Sequence, residues 1–444
     1  MGGLLFLMTS CLGGSDSGSI DDWRFGNAQI SSFFLDNDSI AGLYDVQFTI
    51  DQLNGQIYNK DSMPYGTVIE EKVLCTVTYD EINIGVANIL FVSHAMDSVW
   101  GTNDSIDFSA PVTITVYPHD GLSTKTYVAK VNIHQVNPDS MTWHKYAGLI
   151  SGKTFKDMKV LSYQNSFYMY ALDNDTYRLY QTAMTDMNDW KEVALSGFPA
   201  GAVLSQITYF EGDLYVISGE GALFRSVDGQ IWSQIDDAPT VKTLLGYLPE
   251  NTVLGRGSVL IGIVAEGNKL HFASMNKGAQ WNTGIEVPES FPISGFCGFN
   301  YELMYHPRFM VVSGRDSKNN LTNKTWSTMD GLSWASISGN NIKYSSREGA
   351  ALTYYDNMFF LLGGIDASGE ALSDIYFSKD YGITWSSDTM YYKMPEDYTA
   401  RGYSSAFADE NNYLMLFGGK AGKDTNILNE LWRGRINRLG FGKE

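Results

Sequence analysis

Six tryptophans recur through the last two-thirds of this 444-residue chain: Trp143, Trp190, Trp232, Trp281, Trp334 and Trp385. Neighbours lie 42 to 53 residues apart. A repeat of roughly 40–50 residues is the period of a β-propeller blade. Four-stranded units of that kind cannot bury their faces alone, so they stack around a ring. The spacing constrains architecture and leaves ligand and reaction open.

Four of the tryptophans close a small polar turn. The fullest copy is Ser378-Lys379-Asp380-Tyr381-Gly382-Ile383-Thr384-Trp385. Looser copies run Ser274 to Trp281, with Asn276 and Gly278, and Ser327 to Trp334, with Asp330 and Gly331. A copy one residue shorter is Ser226-Val227-Asp228-Gly229-Gln230-Ile231-Trp232. Ser and Asp side chains can bond the turn's own amides, and Gly accepts a positive φ. The Trp then offers a large apolar face to neighbouring blades. These turns resemble the Asp-box hairpin of sialidases and of several non-enzymatic propellers.

A second signature precedes the turns. Val216-Ile217-Ser218-Gly219, Val311-Val312-Ser313-Gly314, Phe360-Leu361-Leu362-Gly363-Gly364 and Leu416-Phe417-Gly418-Gly419 are apolar runs ending in small residues. Apolar residues on both faces indicate a strand buried between blades. The pattern resembles kelch repeats. In the last unit Leu431-Trp432-Arg433 aligns with Tyr376-Phe377-Ser378, so that unit stops after its third strand. The Trp143 segment supplies the missing fourth strand, which closes the ring and removes two exposed edges. The expectation is six blades.

Composition agrees with an all-β chain: 14% aromatic, 18% charged, 44 Gly and only 11 Pro. The net charge of −19 disfavours nucleic acid, whose binders carry a basic footprint. From about Asn27 to Val136 the chain reads as alternating strands. Val46, Phe48 and Ile50 share one face, and Val73, Cys75 and Val77 another. Val112 to Tyr117, then Asp120-Gly121, then Tyr127 to Ile133 is a hairpin pattern. It resembles the last hairpin of immunoglobulin-like sandwiches, modules that act as spacers.

Three cysteines, Cys11, Cys75 and Cys297, cannot form a disulfide framework. Cys75 and Cys297 lie in apolar runs and read as small core residues. Leu4 to Cys11 is a short apolar stretch ending in small residues, followed by a Gly/Ser tether, Gly13 to Gly18. It is too short to span a bilayer. It resembles a lipoprotein signal in which Cys11 is acylated, although no Lys or Arg precedes it.

The expected organisation is therefore a lipoprotein signal and tether over 1–24, an Ig-like β-sandwich over 25–138 and a six-bladed kelch-like/Asp-box β-propeller over 139–440. This arrangement resembles a group of Bacteroides-type lipoproteins. The resemblance implies an outer-membrane lipoprotein of the cell envelope, held to the membrane by its lipid alone.

Chemistry is harder to place. The sialidase resemblance would imply an arginine triad, a Tyr–Glu pair and an acid/base Asp. Its early Arg-Ile/Leu-Pro motif is absent, and His306-Pro307-Arg308-Phe309 inverts those residues mid-domain. A kelch-type copper oxidase needs two His ligands, and beyond the closing strand only His271 and His306 remain. No metal or dinucleotide fingerprint occurs, so no cofactor and no metal are expected. Three segments place Arg beside Gly: Gly255-Arg256-Gly257, Arg347-Glu348-Gly349 and Arg401-Gly402-Tyr403. If each opens an innermost strand, Arg256, Arg347 and Arg401 converge on one channel mouth, with Tyr403 as a stacking surface. Forked guanidinium donors suit carboxylates or polar sugars. Alternatively, these arginines brace the blades internally. Two function classes stand: a monomeric protein binding a glycan or protein partner, or a glycan-processing hydrolase.

Overall fold

The computed structural model describes residues 27–441, apart from 70–72, 80–85, 95–96, 102–103, 120, 340–341 and 424. Cys11 with its tether, and Asp120 of the expected hairpin turn, lie outside these residues. The chain divides into two compact units, with the boundary between Pro138 and Asp139.

The first unit is a β-sandwich. One sheet joins Ile30–Asp36, Val73–Tyr79 and Ser105–Ile106. The other runs, in spatial order, Phe48–Asp51, Gln56–Asn59, Lys125–Lys130, Val112–Pro118, Val86–Val92 and Asp97–Val99. Strict alternation explains the packing. Val112, Ile114 and Val116 are buried while Thr113, Thr115 and Tyr117 are partly covered. They join Phe33, Val73, Cys75, Phe91 and Tyr127 in one core. Val112–Pro118 pairs antiparallel with Lys125–Lys130, as the hairpin pattern predicts.

The second unit is a six-bladed propeller. In the first blade Asp157–Tyr163, Ser166–Asp173, Thr176–Ala183 and Lys191–Val193 pair in chain order, and the next three blades repeat this meander. The fifth has Ala351–Tyr355, Met358–Ile365 and Ala371–Ser378, extended by a single bridge from Phe377 to Ser386. The sixth has Ser405–Ala408, Leu414–Phe417 and Leu431–Ile436. Its outermost strand is Met141–Ala147, from the start of the unit. The ring thus closes through the Trp143 strand. Trp143 faces Gly434 across that pair, and a Cβ there would lie 2.5 Å from the indole ring.

Second strands are sandwiched between blades, so they are apolar on both faces. All eight residues of Met358–Ile365 and all five of Asp213–Ile217 are buried. Trp232, Trp334 and Trp385 are buried in blade-to-blade clusters, whereas Trp190 and Trp281 are only partly covered.

The polar turns link third to fourth strands at the blade periphery. In the second blade, Gly229 N donates to Ser226 Oγ at 2.9 Å, and Gln230 N and Ile231 N donate to Asp228 Oδ1 at 2.8 and 2.9 Å. Gly229 has φ 75°, and a Cβ there would strike Tyr168 and Tyr170 of the first blade. Conformation and packing both demand glycine. The fifth blade repeats the cradle with Ser378 and Asp380. In the fourth blade the register differs by one from the sequence alignment. Thr328, not Ser327, accepts from Gly331 N, and Ser327 pairs instead with Tyr301 Oη at 2.7 Å. In the third blade the Asn276 side chain donates to Ser258 O at 2.9 Å, across to the start of the second strand.

Candidate binding site in the propeller channel

First strands of all six blades surround a central cavity of about 570 Å³. This identifies them as the innermost strands. The lining includes Asp157, Lys159, Gln206, Thr208, Tyr247 and Asn300, with Cys297, Phe299, Tyr403, Ser404, Ser405 and Phe407. Apolar walls with a few polar groups are the usual make-up of a small-molecule site.

Tyr403 is the candidate that the structure places in this lining. Arg401-Gly402-Tyr403 superposes in sequence on Arg347-Glu348-Gly349, so Tyr403 takes the place of Gly349. Both are left-handed, at φ 58° and 63°. A bulky side chain in that region is an energetic cost, and such outliers cluster at functional sites. The conformation is held by neighbours. Tyr403 N donates to Gly349 O at 2.6 Å, and Gly349 N to Gly295 O at 2.6 Å, stitching three consecutive blades. Tyr403 Oη donates to Glu348 Oε2 at 2.8 Å, and Glu348 Oε1 accepts from Arg315 at 2.7 Å. Burial alone would raise the Glu348 carboxyl, but the bonds from Arg315 and Tyr403 outweigh it and hold it below its usual range. Burial, then the Glu348 charge, pushes the Tyr403 hydroxyl well up, so it remains a donor.

The three arginines do not converge on the cavity. Gly255-Arg256-Gly257 precedes the second strand of its blade, Val259–Glu266, rather than the innermost strand, Val241–Leu248. Arg256 therefore belongs to the opposite end of the ring from Arg347 and Arg401. Its guanidinium donates to Gly257 O at 2.7 Å and Pro249 O at 2.8 Å. Arg347 and Arg401 do precede innermost strands, but both are buried in their own blades. Arg347 clamps Asp374 with two bonds, at 2.5 and 3.0 Å, and donates to Gly363 O at 2.9 Å. Arg401 donates to Thr399 O at 2.9 Å, Gly418 O at 3.1 Å and Glu430 Oε2 at 2.8 Å. Its guanidinium carbon lies 4.4 Å from the Tyr398 ring centre. Arg347 and Arg401 each tie the end of the second strand to an acid at or beside the third. Their donors are spent on the blade.

The charged lining comes instead from the first blade. Among the described residues, Asp157 and Lys159 are the charged side chains of the cavity wall. They alternate with buried Met158 and Val160 along Asp157–Tyr163. A Lys between apolar partners in an innermost strand is the signal that the Arg-Gly pattern obscured. Burial lowers the Lys159 ammonium, opposed by attraction to Cys297 and Asp157. Burial raises the Asp157 carboxyl, opposed mainly by Lys420. Burial also pushes the Cys297 thiol up to about 12, which suits a packing residue rather than a nucleophile. The histidines lie elsewhere: His271 pairs with Gly284 O at 3.2 Å, and His306 with Asn251 Nδ2 at 3.3 Å. Among the described residues no cluster of metal-ligating side chains occurs.

Comparison with known proteins follows the division into two units. Residues 27–131 match the domain of unknown function DUF6242, N-terminal domain, and residues 137–444 match the DUF6242 beta propeller domain. The chain belongs to the DUF6242 family. A solved structure titled "Structure of YjhT" is 14% identical, covers 63% of this chain and 95% of that chain, and superposes with a TM-score of 0.44. No curated protein matches the sequence.

Proposed function

With membership of the DUF6242 family as the premise, we propose that the chain is a lipid-anchored envelope protein that binds a glycan in its propeller cavity. The observation that carries this reading is Tyr403, held left-handed by two neighbouring blades at the cavity wall. Such a fixed aromatic can stack on a sugar ring at little entropic cost. Gln206, Thr208, Asn300 and Ser404 offer hydroxyl and amide partners around it. Hydrolysis with two flanking carboxylates needs a second acid about 5–9 Å from the first. Asp157 is the only carboxylate of the described lining, and Glu348 behind it is held by Arg315 and Tyr403. This composition favours binding over turnover.

The test is a glycan array with the full chain carrying Cys11→Ser, run beside a hydrolysis screen on the bound glycans. Saturable binding weakened by Tyr403→Ala, with no product released, is expected. Product release, or binding indifferent to Tyr403, would refute the reading. Membrane retention of the native chain, and its loss in Cys11→Ser, checks the anchor.

A further inference from the structure

Lys159 is a cation without a dedicated counter-charge. The arginines near the strand entrances are paired, Arg347 with Asp374, Arg401 with Glu430 and Arg315 with Glu348, while Lys420 lies over the Tyr403 ring. Lys159 makes no hydrogen bond or ion pair among the described residues. The groups that face it are the Asp157 carboxyl, two residues away on the same strand face, and the Cys297 thiol of the fourth blade, across the ring, which burial keeps uncharged. Asp157 is not free to serve it fully, because its Oδ1 accepts from Met158 N at 2.9 Å and its charge is also drawn to Lys420. A partly buried ammonium left this way carries a desolvation cost that Asp157 offsets only in part.

One further polar group of the lining, on the adjacent second blade, is also incomplete. Gln206 Oε1 accepts from Leu244 N at 2.8 Å, and its amide nitrogen has no partner among the described residues. Two adjacent blades therefore present an ammonium and an amide donor to the cavity. A ligand that satisfies both brings an anionic oxygen and a hydroxyl.

Resting on the reading that the cavity binds a glycan, we infer that its ligand is an acidic sugar and that Lys159 receives the sugar's carboxylate. The ligand supplies the counter-charge that the fold withholds, while a ring hydroxyl reaches the Gln206 amide.

Titration calorimetry on the full chain tests this with D-glucuronate and D-galacturonate, their neutral partners D-glucose and D-galactose, and inorganic phosphate. The expected result is at least tenfold tighter binding of an acidic sugar than of its neutral partner, with phosphate weaker than both. Lys159→Met should weaken the acidic sugar about 10- to 100-fold, the size of a charge-assisted hydrogen bond. It should leave the neutral sugar unchanged. Lys159→Arg should recover part of the loss. The melting temperature of Lys159→Met should stay level or rise, since no bond is removed. Equal affinity for acidic and neutral sugars, with no effect of Lys159→Met, would overturn the inference and spare the glycan site. Phosphate binding as tight as the acidic sugar would replace the sugar by a simple anion. Binding of none of these probes would overturn the inference and the glycan reading together.

Discussion

Replacing Arg401 by Met separates a bracing arginine from a ligand-binding one. The guanidinium donates to Glu430 Oε2 at 2.8 Å, to Thr399 O at 2.9 Å and to Gly418 O at 3.1 Å, with Tyr398 beneath it at 4.4 Å. The charge-assisted bond contributes about 1.5–3 kcal/mol, and each carbonyl that loses its donor costs about 0.5–1.5 kcal/mol. The ring contact adds about 0.5–2 kcal/mol. Against these stand a relieved desolvation penalty and a flexible side chain that fills most of the volume. The balance is a loss of about 3–5 kcal/mol, the usual cost of removing one partner from a buried pair. For a unit spanning Asp139–Glu444 that corresponds to a melting temperature lower by ~5–8 °C. Calorimetry or far-ultraviolet circular dichroism reads it directly. Sugar affinity, measured well below the new midpoint, should be unchanged. A variant that melts with the native chain but loses its ligand would refute the bracing role and return Arg401 to the site.

Acid should weaken ring closure. Hydrogen bonds from Lys145 of the closing strand, from Arg401 and from Trp432 outweigh the opposing effect of burial and hold Glu430 at about 2 against an ordinary 4.5. Because this carboxyl is depressed on folding, its stabilisation is full above about 4.5 and is lost as pH falls toward 2. Urea midpoints across that window should fall less steeply in Glu430→Gln than in the native chain. Gly349→Ala should cost about 2–4 kcal/mol, because φ is 63° and the new Cβ would sit 2.6 Å from the Tyr403 ring. Adding Tyr403→Ala should return part of that loss in denaturant melts. Asp380→Ala should cost ~1–2 kcal/mol by losing its bonds to Thr384 N and Thr384 Oγ1, at 2.9 and 2.6 Å. Sugar binding measured on the same variant should not change, since the turn is peripheral.

The period of the tryptophans, the apolar second strands and the Ser-x-Asp turns are local in origin, and they made the architecture readable. A blade is built from contacts within about 50 residues. Its turn chemistry is satisfied by its own backbone, as Ser226, Asp228 and Gly229 show. Even the closure was legible, because a last blade that stops at Leu431–Ile436 needs an edge partner and Trp143 begins the unit. Direction was not legible. The segment at Arg256 sets an Arg close to a Gly just as those at Arg347 and Arg401 do. Which strand it precedes depends on a blade meander with a long loop over residues 249–258. Whether a guanidinium turns to the cavity or back into its blade is decided by Asp374 and Glu430, 27 and 29 residues further along. The Thr328 cradle was misplaced by one residue, because Ser and Thr hydroxyls are chemically alike and only the strand register chooses between them. The exposure of Lys159 to the cavity needed all six innermost strands together. Alternation assigns a residue to a face, but only the closed ring decides that this face looks onto a cavity, and leaves the ammonium there without a hydrogen-bonded counter-charge among the described residues.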